Sequence, residues 1–409
     1  MVIYAPDFLQ TEVFLPASKS ISNRALVIRA FSGSTVPISN ISDCDDSKVV
    51  AEALRDMPPV INVKAAGTAM RFLASMLATL SGKHILTGTE RMCQRPISVL
   101  VDALRSLGAD IRYEDKEGFP PLCIHGKELE GGHVSLPGNV SSQYVSSLLM
   151  IGPTLQRGLT LTLEGEIASR PYIDMTLAVM RQFGSKAQWV SPSEIHVPPV
   201  PYTPTPFYVE NDWSAASYWY EMVALSEDKD ANVLLPELFE DSIQGDSTVA
   251  RLFASIGVGT KHEGRSVRLY KTGGVAKEYV QDMQEQPDLA QTMAVTCCML
   301  GIPFRLGGLH TLRIKETDRI AALQKELWKL GFVLRSEGDS TLSWDGEMHT
   351  GIEPSVSIDT YEDHRMAMAF APVALKRGSI TINNPEVVSK SYPSFWDDMA
   401  KAGFKLTDI

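Results

Sequence analysis

The sequence predicts an α/β protein of two domains, each assembled from three copies of a repeated α/β unit. Three observations carry this expectation. A helix that ends in glycine and runs into a short strand recurs at Gly108, Gly184, Gly257, Gly331 and Gly403, with spacings of 76, 73, 74 and 72 residues. Glycine after a helix is an ordinary left-handed stop, but near-constant spacing over five copies marks a repeated unit. The chain has 409 residues, more than a single core of roughly 250 to 300 residues accommodates, so two domains of three units fit its length. Six prolines between Pro192 and Pro206 favour an extended crossing, and the helix opening near Asp212 and Trp213 then begins the second domain. The expected boundaries are 18–211 for the first domain and 212–409, together with a strand in 1–17, for the second. A helix around Val49 to Arg55 is expected as a sixth, degenerate copy.

Composition narrows the function. The net charge of −11 argues against a broad nucleic-acid-binding or anionic-membrane surface, so an anionic ligand must be held by a local cluster of cations. No long apolar run is present, and the amino terminus has neither the basic start nor the apolar stretch of a signal peptide. The expectation is a cytoplasmic protein without a membrane partner. Five cysteines, odd in number and without metal-ligand spacing, read as reduced thiols, and no metal site is expected.

In chain order, the repeats begin with segments of small, hydroxyl and cationic residues. Ser18 to Arg24 opens a helix with Lys19 before it, Ser20 at its start and Arg24 one turn in, a pattern suited to a phosphate or carboxylate. It lacks the glycines of a Walker loop. Lys64 to Leu73 places Gly67 at the start of an apolar helix, where a ligand can approach the backbone. In Glu90 to Pro96, Arg95 precedes a proline expected as a first helical residue. Ser141, Ser142 and Gln143, and then Ser169, supply neutral hydrogen-bonding groups at two further helix starts.

The second domain repeats the theme. Asp288 stands at a helix start, where an acid is ordinarily a cap. Leu312 to Ile320 packs Arg313, Lys315, Glu316, Asp318 and Arg319 around the start of a helix continued by Leu323, Leu327 and Leu330, with Thr317 expected as the N-cap. Asp359 to Ala369 sets Asp363, His364 and Arg365 ahead of an apolar helix, with His364 read as a helix-start residue and not a metal ligand. Lys390 precedes the last helix.

Taken together and in this order, the segments from Pro16 to Pro393 resemble the enolpyruvyl transferases, and within them the branch that uses shikimate 3-phosphate as acceptor. The resemblance implies the two-domain enolpyruvyl transferase fold, each domain three βαβαββ repeat units around a cleft, with the amino-terminal strand joining the second domain. It implies that Lys19, Ser20, Arg24, Ser141, Ser142, Gln143, Ser169, Asp288 and Lys315 bind shikimate 3-phosphate. It likewise implies that Lys19, Gly67, Arg95, Gln143, Arg319, Arg365 and Lys390 bind phosphoenolpyruvate. The implied reaction is addition followed by elimination, with Asp288, Glu316 and Lys19 as catalytic groups and with no metal or organic cofactor. A monomer, and inhibition by glyphosate in competition with phosphoenolpyruvate, follow from the same resemblance. The family often has Asn-Ala-Gly-Thr where this chain has Ala65 to Thr68, and Asn where Thr311 stands; neither departure removes a charge.

The charge inventory agrees with these ligands. Two phosphates and two carboxylates bring about six negative charges near neutral pH. Lys19, Arg24, Arg95, Lys315, Arg319, Arg365 and Lys390 supply seven cations. Two rivals remain. UDP-N-acetylglucosamine enolpyruvyl transferase usually carries a reactive cysteine five residues before the Arg-Pro, where this chain has Glu90. A catalytically silent anion-binding scaffold would be expected to have lost one of Lys19, Asp288, Glu316 or Arg319, all of which are present.

Overall fold

The computed structural model describes residues 1–351 and 355–408. The chain divides into two compact units: an outer unit, Met1–Pro16 with Glu210–Ile409, and an inserted unit, Ala17–Val209.

The inserted unit contains two four-stranded sheets of one design. In the first, Val60–Asn62 runs parallel to Gly82–Thr87, which pairs antiparallel with Leu122–Gly126, itself antiparallel to Asp110–Tyr113. In the second, Gly132–Pro137, Leu159–Glu164, Glu194–Val197 and Gln188–Ser191 repeat that order and those directions. A helix connects the first two strands of each sheet, because parallel neighbours need a crossover, and a hairpin closes the unit. This is the βαβαββ unit. The degenerate copy has only Phe207–Tyr208 parallel to Ile38–Ser39. Its second helix, Asp45–Asp56, stops at Met57 in the left-handed conformation, but Pro58 and Pro59 lead directly into Val60. Two residues without an N–H cannot build the missing hairpin ladder.

The outer unit has three four-stranded sheets of the same pattern. Tyr279–Asp282, Phe304–Gly307, Thr341–Trp344 and Arg335–Glu337 are contiguous in sequence. The other two sheets borrow from the amino terminus. Gln10–Glu12 supplies the outer parallel strand beside Asn232–Pro236, and Val2–Tyr4 lies antiparallel between Ser379–Ile382 and Lys405–Thr407.

Each unit encloses helices buried on nearly every face. In the inserted unit these are Lys19–Phe31, Gly67–Thr79 and Ser142–Ile151; in the outer unit, Trp213–Leu225, Ala290–Leu300 and His364–Phe370. Such helices lack a polar face, and their stability comes from packing, each fully buried large apolar side chain contributing about 1.5–3 kcal/mol. Trp213, Trp219, Tyr220, Phe253, Phe370 and Phe395 anchor the outer unit's core. Four cysteines are buried, Cys93 is half-buried, and all five are free thiols. Among the described residues no helix is long and apolar enough to cross a membrane.

Candidate active site

In the inserted unit the residues singled out by sequence sit at or beside helix starts. Ser18 caps Lys19–Phe31, its hydroxyl accepting from the Ile21 N–H, so Lys19 is the first helical residue and does not precede the helix. Lys19 Nζ lies 3.3 Å from Asp46 Oδ2, an acid that sequence reasoning passed over. Arg24 is buried one turn further on. Its Nε donates to Thr176 Oγ1 at 2.7 Å, Nη1 to the Ser20 carbonyl at 2.8 Å, and Nη2 to Ser146 Oγ at 3.0 Å and the Tyr172 carbonyl at 3.3 Å. All four acceptors are neutral. Burial pulls the Arg24 pKa down to about 10, against a smaller opposing effect of Tyr172. A desolvated cation without a carboxylate partner among these bonds is costly to hold, and a ligand anion offsets that cost.

Gly67 begins the helix Gly67–Thr79, and Arg95 explains why glycine stands there. A Cβ on residue 67 would lie 2.8 Å from Arg95 Nη1 and 3.1 Å from Nη2, so the guanidinium rests against the bare backbone. Gln143 Nε2 donates to Thr68 Oγ1 at 3.1 Å, bringing a second helix start to the same place, and Ser141 caps that helix through the Gln143 N–H. Ser142 is its first residue. Ser169 is buried and holds φ 54°, at the turn into Arg170–Gln182. Pro96 is not a first helical residue: Ile97 intervenes and the helix starts at Ser98. The Pro96 carbonyl instead accepts from Tyr144 Oη at 2.6 Å and from Arg71 Nη2 at 3.3 Å.

The outer unit brings five of its six candidates into one ion cluster. Asp288 lies in a 3₁₀ turn before Ala290–Leu300 and is not the N-cap of that helix, a position held by Leu289. Its carboxylate instead meets three cations: Lys315 Nζ at 3.5 Å, Arg319 Nη1 at 3.0 Å and Arg365 Nη2 at 2.7 Å. Glu316 Oε2 lies 2.9 Å from Arg319 Nη2. Behind them, the fully buried Asp363 receives Arg319 Nε at 2.7 Å and caps the His364–Phe370 helix through the Arg365 N–H at 2.9 Å. The sequence alone assigns Asp363 no role, because its position behind Arg319 depends on packing between distant segments. The cap of Arg319–Lys329 is Asp318, not Thr317. An aspartate there accepts from the Ala321 N–H and places negative charge at the helix's positive end.

Burial lowers the Lys315 pKa, and Asp288 opposes that shift. Burial also lowers the Arg319 pKa, but Asp363, Glu316 and Asp288 outweigh it and the net direction is upward, so Arg319 is a permanent cation. Tyr218 Oη accepts from Arg365 Nη1 at 3.4 Å, and burial pushes its phenol to about 12. Lys390 stands apart from the cluster, donating to the Glu362 carbonyl at 2.5 Å, next to the Asp363 cap. Chemically, the cluster offers two carboxylates for proton transfer and cations for carboxylate or phosphate oxygens.

The comparisons with known proteins agree with one another. Residues 57–399 match the family model described as EPSP synthase (3-phosphoshikimate 1-carboxyvinyltransferase). A 3-phosphoshikimate 1-carboxyvinyltransferase of Bacteroides fragilis is 55% identical over 406 residues, covering 99% of this chain and 98% of that one. A Vibrio cholerae protein of the same name is 35% identical over 428 residues, covering 97% of each. Among solved structures, an EPSP synthase of Acinetobacter baumannii superposes with a TM-score of 0.77, covering 100% of this chain and 99% of that one; at 21% identity this supports the fold alone. With a family model spanning most of its length and full-length relatives well above 30% identity, the chain belongs to the EPSP synthase (3-phosphoshikimate 1-carboxyvinyltransferase) family.

Proposed function

We propose that the protein transfers the enolpyruvyl group of phosphoenolpyruvate to the 5-hydroxyl of shikimate 3-phosphate and releases phosphate. The observation that carries the reading is Asp288, an acid at a helix start whose carboxylate meets Lys315, Arg319 and Arg365, with Glu316 on the same arginine. Anionic substrates compete with Asp288 and Glu316 for these cations, so the carboxylates that remain are left as bases beside the reacting groups. In this reading Lys19, Ser20, Arg24, Ser141, Ser142, Gln143, Ser169, Asp288 and Lys315 hold shikimate 3-phosphate. Lys19, Gly67, Arg95, Gln143, Arg319, Arg365 and Lys390 hold phosphoenolpyruvate.

The hydroxyl oxygen attacks C2 of phosphoenolpyruvate, its proton passes to Asp288, and C3 gains a proton from Glu316 in its acid form, whose carboxylate then takes one back in the elimination. The tetrahedral adduct then loses a C3 proton and phosphate, leaving an enol ether. Glu316 serves C3, and Lys19 competes with it for that role and with Asp288 for the hydroxyl proton. In the same reading the protein is a cytoplasmic monomer that binds neither nucleic acid nor membrane, and glyphosate inhibits it against phosphoenolpyruvate.

Phosphate release with shikimate 3-phosphate, set against a parallel reaction with UDP-N-acetylglucosamine, tests the acceptor. Release with shikimate 3-phosphate alone supports the reading, and release with neither returns the silent scaffold. Glu316→Gln removes the base and keeps the shape: substrate binding is expected to persist while kcat falls by about 10²-fold or more. Near-normal turnover would sink its role.

A further inference from the structure

We propose that Arg71 is a positioning residue for the phosphoenolpyruvate grip, holding Gly67 and Arg95 in register; this rests on the transferase reading above. Arg71 is buried one turn into the helix Gly67–Thr79, where the surrounding pattern calls for an apolar side chain. Its guanidinium reaches three segments. Nη1 donates to the Gly67 carbonyl at 3.2 Å and to Met92 Sδ at 3.5 Å. Nη2 donates to the Pro96 carbonyl at 3.3 Å. The plane stands 5.8 Å from the Tyr144 ring, whose hydroxyl donates to that same Pro96 carbonyl at 2.6 Å.

These are the segments that carry Gly67, Arg95 and Gln143. Arg95 and Pro96 lie in the turn between the short helix Glu90–Cys93 and the helix Ser98–Ser106, outside both. Pro96 has no N–H, so its carbonyl is the one backbone hydrogen-bonding group by which side chains can hold the residue after Arg95. Arg95 in turn rests on the Gly67 backbone with no room for a methyl group between them. One planar side chain with donors on both arms can span the two carbonyls, whereas an ammonium group is a single point. If Pro96 drifts, the Arg95 guanidinium moves relative to the helix start, and the geometry offered to a bound carboxylate or phosphate changes. Arg24, which faces the other substrate in this reading, donates instead to Thr176, Ser20, Ser146 and Tyr172.

The test is steady-state kinetics on the full-length protein for Arg71→Lys, Arg71→Met and Tyr144→Phe, with melting temperature measured alongside. Arg71→Lys and Arg71→Met are expected to raise KM for phosphoenolpyruvate by about tenfold or more, with KM for shikimate 3-phosphate changed less than about twofold. Tyr144→Phe removes the second donor to Pro96 and is expected to shift the same constant in the same direction by less. Where Arg71→Met fails to fold, the lysine and phenylalanine variants carry the test. An equal rise in both KM values, or a fall in kcat with KM for phosphoenolpyruvate unchanged, overturns the proposal. Wild-type turnover in the same assay bears on the transferase reading separately, since the Arg71 proposal depends only on the change from wild type.

Discussion

At Gly67 the absence of a side chain has a direct physical use. The Arg95 guanidinium occupies the space a Cβ would take, at 2.8 Å from the nearer nitrogen, and the contact is to the far end of a flexible chain. Gly67→Ala therefore leaves the fold intact and pushes Arg95 outward by a few tenths of an ångström. Its expected result is a KM for phosphoenolpyruvate raised several-fold with melting temperature unchanged, and weaker inhibition by glyphosate, the competitor of phosphoenolpyruvate in the proposed reading. Kinetics with both ligands on one preparation checks this; unchanged inhibition would separate Gly67 from the glyphosate site. The contrast with Arg24 is instructive. That cation has four neutral acceptors and a pKa drawn down to about 10 by burial, so the sequence's cationic helix start becomes a desolvated charge prepared for an anion.

At the scale of elements, the glycine that ends each repeat helix records a backbone requirement. Gly108, Gly184, Gly257, Gly331 and Gly403 hold φ of 101°, 85°, 95°, 101° and 98°, and Met57 holds φ 40° in the degenerate copy. Around Gly108 no atom lies within 4 Å of where a Cβ would stand, so Gly108→Ala isolates the conformational cost. A loss of about 1–2 kcal/mol is expected, read as a fall in melting temperature of roughly 2–8 °C with kinetics unchanged. A melting temperature equal to wild type would show that the turn relaxes freely. This is also why the repeat was legible in sequence: left-handed φ has few residue choices, so it leaves a periodic letter. The helix starts were legible for a related reason, since capping and anion binding use the same small vocabulary. What escaped was pairing over long sequence distance. Asp46 beside Lys19, Asp363 behind Arg319, and Arg71 bridging Gly67 to Pro96 follow from how separate segments pack. The choice of Asp318 over Thr317 as cap was a one-residue matter of register that composition could not resolve.

Over the whole molecule, an acidic chain of net charge −11 keeps several of its cations for buried helix starts, and it also buries an acid in the core of the outer unit. Glu221, in the middle of Trp213–Leu225, is fully buried, and burial pushes its carboxyl well above the ordinary 4.5, with Thr296 opposing. The native state therefore holds a proton that the unfolded chain releases above pH 4.5. The native advantage of this group is complete below that value and declines by about 1.4 kcal/mol for each pH unit above it, until the native pKa is reached. Glu221→Gln keeps the shape and the neutral charge but removes the titration. Relative to wild type, the variant's melting temperature is expected to rise as pH increases above 4.5 and to level off once the native carboxyl ionises, with the smallest difference at the acid end. A difference independent of pH throughout would mean that Glu221 titrates alike in the folded and unfolded chain, and a difference that is flat above pH 4.5 and grows as pH falls below it would mean that the folded protein stabilises the carboxylate. Either result would locate compensating charge inside the outer unit's core, where the fold as described places aromatic and aliphatic side chains.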